Sequence, residues 1–218
     1  MPSDPKSLKA RLEQFLKDNC VLRDRQYILA SGESSDVYID ARIATLDPKG
    51  SFLISSIFFE EITKRENVAA VGCAWSVGGA SILSAVIAKS FREDKPLNGL
   101  IVRTGSKTYG TEKIIEGNLD GLFVEGNVSS GQNVVMVEDV VNTGKSILKA
   151  IGHLKEKNVN VCSVFSVMDR GEETEKMFEQ EGYEFFSIFK LDDLLSQTLD
   201  PARKQHAQKH QQEYRENG

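Results

Sequence analysis

The sequence predicts an α/β fold in which a central, mostly parallel sheet is flanked by helices. Two observations lead to this prediction. Short, continuous apolar runs recur along the 218-residue chain, and most are followed by a stretch in which apolar residues return at helical spacing. Strands that are apolar throughout are typical of parallel sheets covered on both faces, with right-handed crossovers between neighbouring strands.

The spacing of apolar residues places each element in turn. The first predicted helix is 7–19, with Ser3 or Asp4 as its cap and Pro5 in its first turn. Three further helices are predicted at 51–64, 146–157 and 174–180. Another is predicted after a turn at Gly78-Gly79 and ends at residue 89. The predicted strands are 27–29, 37–40, 68–73, 100–103, 134–137, 161–168 and 185–189.

Two segments interrupt this alternation of strands and helices. The stretch 104–127 is polar and rich in glycine, and a connection of this length is usually a functional loop or a hairpin-like excursion. The tail 200–218 is highly charged, which indicates a frayed helix or a disordered segment. His206 and His210 lie four residues apart there, but an exposed tail explains them better than a metal site, because no third ligand is suggested.

The composition excludes several classes of function. The net charge is −5, whereas binding to nucleic acid or to an anionic membrane surface requires a basic face. No apolar run approaches the ~18 residues of a membrane helix, and the first residues lack the apolar core of a signal peptide. Cys20, Cys73 and Cys162 are odd in number and widely spaced, which argues against disulfides and a structural zinc site. We therefore expect a cytoplasmic protein.

The segment 134–146 carries the strongest functional signal. A buried parallel strand is predicted to end at two carboxylates, Glu138 and Asp139, and small or hydroxyl residues then lead into a helix. Ligands of open α/β folds bind at the carboxyl ends of the strands, and a turn into a helix N-terminus presents free N–H groups to a phosphate. Carboxylates repel a phosphate but accept hydrogen bonds from ribose hydroxyls. Together these features predict a site for ribose 5-phosphate.

Two other interpretations of this segment fit it less well. Gly144-Lys145-Ser146 is similar to the end of a nucleotide-binding P-loop, but Asp139 stands where that motif needs a glycine. An ordinary charged turn with a helix cap would not explain so many polar positions at the end of one strand. A second turn at 74–80 is either a cradle for pyrophosphate or a simple connection, and its Trp75 is either a core residue or a wall of the site.

The stretch 134–146 resembles the motif with which type I phosphoribosyltransferases bind 5-phosphoribosyl 1-pyrophosphate (PRPP). Three further segments narrow the resemblance to the orotate phosphoribosyltransferases. The stretch 29–40 is similar to the segment that lines the base site, 101–117 is similar to the flexible catalytic loop, and 168–170 matches the place where an arginine contacts orotate.

The resemblance implies a type I phosphoribosyltransferase fold with a flexible catalytic loop. It also implies a small N-terminal hood, formed by about 1–45 and part of the C-terminal region, within a single domain at 1–199. The implied reaction transfers ribose 5-phosphate from PRPP to orotate, giving orotidine 5′-monophosphate and pyrophosphate, a step of de novo pyrimidine synthesis. Mg²⁺ would be held mainly by PRPP with no direct protein ligand, and a homodimer would share its active sites.

The resemblance also assigns roles to individual residues. The catalytic groups would be Lys107, Arg103 and Asp139. PRPP would be bound by Glu138, Asp139, Asn142, Thr143, Gly144, Lys145, Ser146, Arg103, Lys107 and Tyr109. The base would be bound by Arg170, Ser31, Gly32, Tyr38 and Thr143. Gly105 and Gly110 would be hinges of the loop, and Asp169 would either orient Arg170 or cap the following helix.

Some positions depart from the family pattern. Ala30 and Thr104 stand where a lysine is usual, and Tyr109 stands where histidine is common. Asn142 and Lys145 also differ from the residues most frequent in the PRPP motif. These departures leave two alternatives open, a related enzyme that uses another base and a non-catalytic regulator that binds PRPP.

Overall fold

The computed structural model describes residues 7–22, 25–28, 34–103, 115–117, 133–171 and 173–198. The helices of this part are α1 (Leu8–Asn19), α2 (Ala41–Leu46), α3 (Pro48–Ile62), α4 (Val77–Arg92), α5 (Lys145–Lys155), α6 (Thr174–Gln180) and α7 (Leu191–Thr198). Its strands are β1 (Val21–Leu22), β2 (Tyr27–Ile28), β3 (Ser34–Ser35), β4 (Tyr38–Ile39), β5 (Val68–Ala74), β6 (Asn98–Val102), β7 (Ile115–Gly117), β8 (Asn133–Val141), β9 (Asn160–Asp169) and β10 (Glu184–Lys190).

The main sheet has the order β10-β9-β8-β5-β6-β7. All neighbours are parallel except β6 and β7, so the predicted α/β fold with a mostly parallel sheet is confirmed. From β5 the chain adds β6 on one side and later adds β8, β9 and β10 on the other. The order therefore reverses between β5 and β8, and ligands of open α/β sheets bind at such a switch point.

Helices cover both faces of the sheet because successive crossovers run in opposite directions from β5. One apolar cluster joins α1, α3 and α4 to one face, and its fully buried members include Leu12, Phe58 and Val86. A second cluster joins α5 and α6 to the other face, around Ile151 and Phe178. The central strands are buried on both sides, which explains their uninterrupted apolar runs.

β8 extends beyond the predicted end at residue 137. It continues through both carboxylates to Val141, because its pairing with β9 runs as far as the register Val141↔Asp169. The expectation that the strand stops before Glu138 and Asp139 is thus wrong. The backbone N–H and C=O groups of β8 pair with β9 whether the side chains are polar or apolar, so the strand does not end where the apolar run ends.

The N-terminal region also differs from the prediction. α1 is capped by Ser7, whose hydroxyl accepts a hydrogen bond from the Ala10 N–H at 3.2 Å, rather than by Ser3 or Asp4. Pro5 precedes this cap, so it is not in the first turn. Ser7 is the cap because it directly precedes the first helical residue, and from there its hydroxyl reaches the N–H groups of the first turn.

The two strands predicted at 27–29 and 37–40 do not belong to one ribbon. β2 pairs with β3, whereas β4 pairs with β1, and both pairs are antiparallel. Neither β1 nor β3 was predicted, because strands of two residues leave no periodicity in a sequence.

The helices on either side of β5 begin earlier than predicted. α3 starts at Pro48, with the Asp47 carboxylate accepting from the Lys49 N–H at 2.8 Å and from the Gly50 N–H at 3.0 Å. Gly78 and Gly79 do not form a turn but lie in the first turn of α4. α2 and α7 were missed as separate helices. None of the helices in the described ranges is both long and apolar enough to cross a membrane.

Gly50 provides a test of the packing between α2 and α3. A Cβ at this position would overlap the carbonyl oxygen of Ala44, which is backbone and cannot move aside easily. Gly50→Ala is expected to lower the free energy of unfolding by about 1–3 kcal/mol, measured by urea denaturation. The control is Gly152→Ala in α5, where a Cβ meets nothing within 4 Å, so a gain of about 0.5–1 kcal/mol is expected. Similar effects of the two substitutions would contradict this packing.

Candidate active site

A cavity of about 310 Å³ opens at the carboxyl ends of β5 and β8. The last register between these strands is Gly72↔Met136, whereas β5 stays with β6 to Ala74↔Val102 and β8 continues along β9. The two central strands therefore diverge, and the cavity lies in the resulting crevice. Its lining residues are Ala74, Trp75, Ser76, Glu138, Val140, Val141, Asn142, Thr143, Gly144, Lys145, Ser146 and Ile147.

Glu138 lies at the base of this crevice and is only 9% exposed. Its Oε1 accepts hydrogen bonds from the Ser76 hydroxyl at 2.8 Å and from the Asp139 N–H at 3.3 Å. Burial, together with the adjacent Asp139 carboxyl, raises the pKa of Glu138 to about 8, while the hydrogen bond from Ser76 opposes the shift. At neutral pH the Glu138 carboxyl is therefore mostly protonated.

Asp139 is held beside the first turn of α4. Its Oδ1 accepts a hydrogen bond from the Val140 N–H at 2.9 Å, and a Cβ on Gly78 would overlap its carboxyl group. Gly78 therefore serves a close approach between α4 and β8. The two carboxylates on β8 consequently contact the segment 74–80 that follows β5.

The N-terminus of α5 is built to leave its backbone donors free. Gly144 precedes it in the left-handed conformation at φ 64°, and no side chain caps the helix. By contrast, α1, α2, α3 and α4 are each capped by a serine or aspartate side chain. The first N–H groups of a helix have no partner within it, so those of α5 can bind an anion in the cavity. Thr143, Lys145 and Ser146 are exposed at the same place.

α6 supports this loop from behind. A Cβ on Gly144 would crowd Met177 and Phe178, which are both in α6. The Thr174 hydroxyl donates to the Asn142 carbonyl oxygen at 3.4 Å. These contacts pack α6 against the loop.

Trp75 forms a wall of the cavity and not part of the core, since 57% of it is exposed. The Arg103 guanidinium lies 5.0 Å from the centre of the Trp75 ring. The Trp75 N–H donates to the Val102 carbonyl oxygen at 2.9 Å, which keeps Trp75 beside the end of β6. Arg103 is thus held at the entrance to the crevice.

Arg170 lies at the end of β9 and is tied to the N-terminal ribbons. Its Nη2 donates to the Ile39 carbonyl oxygen at 2.7 Å, and its guanidinium lies 4.9 Å from the centre of the Tyr38 ring. Tyr38 in turn stacks on Tyr27, with ring centres 5.2 Å apart. The Nε atom of Arg170 is buried and has no hydrogen-bond partner among the described residues, so it remains available to a ligand.

Asp169 shapes the turn after β9. Its Oδ1 accepts a hydrogen bond from the Gly171 N–H at 3.0 Å. α6 has no side-chain cap, so the interpretation of Asp169 as a helix cap is wrong. The interpretation in which Asp169 orients Arg170 stays a prediction.

The crevice brings together most of the residues that the sequence singled out. Both carboxylates and the residues 142–146 line or adjoin one cavity, with Arg103 at its edge. Four predicted site residues lie outside the described residues, as do the expected hinges Gly105 and Gly110. These four are Ser31, Gly32, Lys107 and Tyr109.

Sequence reasoning missed the contact of Ser76 with Glu138. A serine before a helix is recognisable as a cap. Its second partner is 62 residues away, however, and only the alignment of β5 with β8 reveals it.

Comparison with known proteins identifies the relatives of this chain. Residues 47–188 match the family model of the phosphoribosyl transferase domain. The chain is 37% identical over 188 residues to an orotate phosphoribosyltransferase of Methanocaldococcus jannaschii, covering 86% of this chain and 97% of that protein. It is 35% identical over 167 residues to the orotate phosphoribosyltransferase of Aquifex aeolicus, covering 77% of this chain and 85% of that protein.

The same family appears among solved structures. The Mycobacterium tuberculosis orotate phosphoribosyltransferase in complex with PRPP superposes with a TM-score of 0.64 at 28% identity, covering 86% of this chain and 99% of that one. The same protein in complex with Fe(III) dicitrate gives a TM-score of 0.68 with equal coverage.

The buried carboxylate makes stability depend on pH. The pKa of Glu138 is near 4.5 in an unfolded chain and about 8 in the folded one. Its contribution to stability is complete below pH 4.5, declines as pH rises, and is lost above pH 8. Glu138→Gln is therefore expected to be about 1 kcal/mol more stable than the wild type at pH 9 and equally stable near pH 5, measured by urea denaturation.

The matched control is Glu156→Gln, since the side chain of Glu156 is 70% exposed. The free energy of unfolding of this variant should equal that of the wild type at every pH. If the free energy of unfolding depends on pH in the same way in the wild type and in Glu138→Gln, the buried and protonated carboxyl is refuted.

Proposed function

Because the chain belongs to the phosphoribosyltransferase family, in its orotate phosphoribosyltransferase branch, we propose that it transfers ribose 5-phosphate from PRPP to orotate. The products are orotidine 5′-monophosphate and pyrophosphate, and the reaction is a step of pyrimidine synthesis. One observation carries the proposal for the site: Glu138 and an uncapped helix N-terminus line the same crevice at the switch point of the sheet, and the Asp139 carboxylate adjoins them.

The donor is bound by two kinds of contact. The N–H groups at the start of α5, together with the hydroxyls of Thr143 and Ser146, hold the 5-phosphate. Glu138 and Asp139 accept hydrogen bonds from the two ribose hydroxyls, in addition to those that Ser76 and the Val140 N–H already donate to them. Asn142, Gly144 and Lys145 complete the loop around the phosphate.

In the reaction, a ring nitrogen of orotate attacks the anomeric carbon as the bond from that carbon to the pyrophosphate oxygen breaks. Positive charge develops on the ribose, and negative charge develops on the leaving pyrophosphate. The carboxylate of Asp139 stabilises the former, and the cations Arg103 and Lys107 stabilise the latter. Tyr109 belongs to the same loop as Lys107, and closure of that loop, with Gly105 and Gly110 as hinges, would exclude water from the donor.

Arg170 is the group that recognises the base. Its free Nε and the planar guanidinium suit the carboxylate of orotate, which uracil lacks. The Tyr38 ring below the guanidinium and the Ile39 carbonyl fix its plane. Ser31, Gly32 and Thr143 provide the remaining contacts to the base.

Mg²⁺ is the cofactor in this proposal. Among the described residues no group of three His, Cys, Asp or Glu side chains is arranged to hold a metal. The phosphate oxygens of PRPP beside two carboxylates nevertheless offer the oxygen-rich environment that Mg²⁺ prefers, so the ion would be held by PRPP without a direct protein ligand. The bound ion supplies neutralisation of charge on the pyrophosphate.

A homodimer with shared active sites is supported by the outer face of α4. Val77 and Phe91 at its two ends are 60% and 75% exposed, with Ser84 and Ala88 between them. The sequence from Val77 to Ala88 contains no charged residue, and the Ser84 hydroxyl is satisfied by the Ala80 carbonyl oxygen at 3.0 Å. An uncharged face of small and apolar residues suits packing against a second copy of the helix.

The remaining parts of the proposal concern organisation and location. The segment 1–199 forms one domain with a hood from about 1–45, and 200–218 is a charged tail. Cys20, Cys73 and Cys162 are free thiols, which supports a reducing, cytoplasmic location. Nucleic acids and membranes are not partners in this proposal.

The reaction is tested by following the loss of orotate absorbance with purified protein, Mg²⁺ and PRPP. Turnover is expected with orotate but not with uracil or hypoxanthine. Arg170→Lys should raise the KM for orotate about tenfold or more, because a single ammonium cannot replace the planar fork, and it should leave the KM for PRPP unchanged. Tight PRPP binding without turnover of any base would overturn the enzyme and favour a regulator, and turnover of another base would reassign the acceptor.

Shared active sites are tested by mixing two inactive variants, Lys107→Ala and Asp139→Asn. If Lys107 acts in the partner's site, half of the dimers in an equal mixture are hybrids and each has one intact site, so about a quarter of the wild-type activity returns. Each variant alone should stay inactive. Failure of the mixture to recover activity, with subunit exchange verified by mass spectrometry, would contradict sharing through Lys107.

A further inference from the structure

Ser76 lines the crevice but lies outside both the loop 142–146 and the surroundings of Arg170. It lies between the two segments that form the crevice, 74–80 after β5 and the end of β8. Its hydroxyl donates to Glu138 Oε1 at 2.8 Å and accepts from the Gly79 N–H at 2.9 Å. A hydroxyl has a single proton, and Ser76 donates it to the Glu138 carboxylate. The oxygen of the same hydroxyl accepts the hydrogen bond that caps α4.

The contact is part of a two-point connection. Next to Ser76, Gly78 approaches the carboxyl of Asp139 so closely that no Cβ fits between them. Each carboxylate of β8 is thus in contact with the first turn of α4. A shift of that turn would be transmitted to both groups that face the ribose.

The surroundings of Glu138 show why the Ser76 hydroxyl matters. Asp139 is a like charge beside it, the buried Cys73 thiol cannot neutralise it, and Arg42 acts on Asp139 while paired with Asp40. Ser76 is the side chain in the described region that donates a hydrogen bond to Glu138. Without it, the carboxyl would hold its proton more tightly, because nothing from Ser76 would oppose the side-chain hydrogen bond between Glu138 and Asp139.

We propose that Ser76 is a positioning residue, which aims the Glu138 carboxylate at the ribose hydroxyls of PRPP and keeps it able to accept their hydrogen bonds. The inference rests on the proposed function only in naming the ligand as PRPP. Ser76 has no role at the reacting atoms in this proposal. It acts through Glu138, and the serine at this place links the ribose-binding strand to the helix beside it.

The variants separate positioning from helix capping. Ser76→Ala removes both hydrogen bonds, Ser76→Gly removes the donor but retains most of the capping preference, and Ser76→Thr keeps the hydroxyl. The backbone of Ser76 is extended, at φ −150° and ψ 160°, and therefore accommodates threonine. Ser7→Ala is the matched control, since it removes the serine cap of α1 with no carboxylate partner.

Ser76→Ala and Ser76→Gly are each expected to raise the KM and Kd for PRPP about five- to fiftyfold, as is typical for loss of a hydrogen bond to a charged group. The KM for orotate should not change, and the acid limb of the pH profile of kcat/KM for PRPP should move to higher pH. In Ser76→Thr, the KM and Kd for PRPP and the acid limb of the pH profile should stay close to those of the wild type. In a Glu138→Gln background, Ser76→Ala should have little further effect, because the two residues act as one unit.

The proposal is overturned if Ser76→Gly binds PRPP as tightly as the wild type, or if the losses in Ser76→Ala and Glu138→Gln simply add. An equal weakening by Ser7→Ala would also overturn it, since general loosening of the fold would then be the cause. PRPP affinity is measured by calorimetry for every variant. Absence of orotate turnover in the wild type would therefore defeat the proposed reaction while the role of Ser76 is still decided.

Discussion

The placement of two adjacent carboxylates at the point where β5 and β8 separate is the constraint on which the rest of the site depends. A buried carboxyl with a like charge beside it disfavours the folded state, and the raised pKa of Glu138 records this cost. The fold tolerates the pair because β8 remains paired with β9, and because Ser76 and Gly78 bring α4 against it. In the proposed reaction, the ribose hydroxyls supply further hydrogen-bond donors to the pair.

A few residues after the carboxylates, the same segment presents partial positive charge instead of negative charge. α5 begins without a side-chain cap, and Gly144 adopts a conformation that exposes the first N–H groups to the cavity. Carboxylate oxygens thus lie beside N–H groups that have no partner within their helix. In the proposed function a sugar phosphate binds to both, with its hydroxyls at the carboxylates and its phosphate at the N–H groups.

The sequence was sufficient for the features that periodicity encodes. The α/β class, the main strands and the carboxylate–glycine–serine segment 134–146 were all predictable, because continuous apolar runs and polar strand ends follow from burial. The end of β8, the pairing of β4 with β1 and the contact of Ser76 with Glu138 were not predictable. Each depends on which strand lies beside which, and no single segment contains that information.

The central claim is that the carboxylate pair binds ribose hydroxyls in its ionised form. Calorimetric titration of PRPP at pH 7 in buffers of different ionisation enthalpy measures the protons released on binding. The wild type should release close to one proton per site more than Glu138→Gln, since a group with a pKa of about 8 is mostly protonated before the ligand binds. Identical proton release by the two proteins would contradict the account, because Glu138 would then not change its ionisation when PRPP enters the crevice.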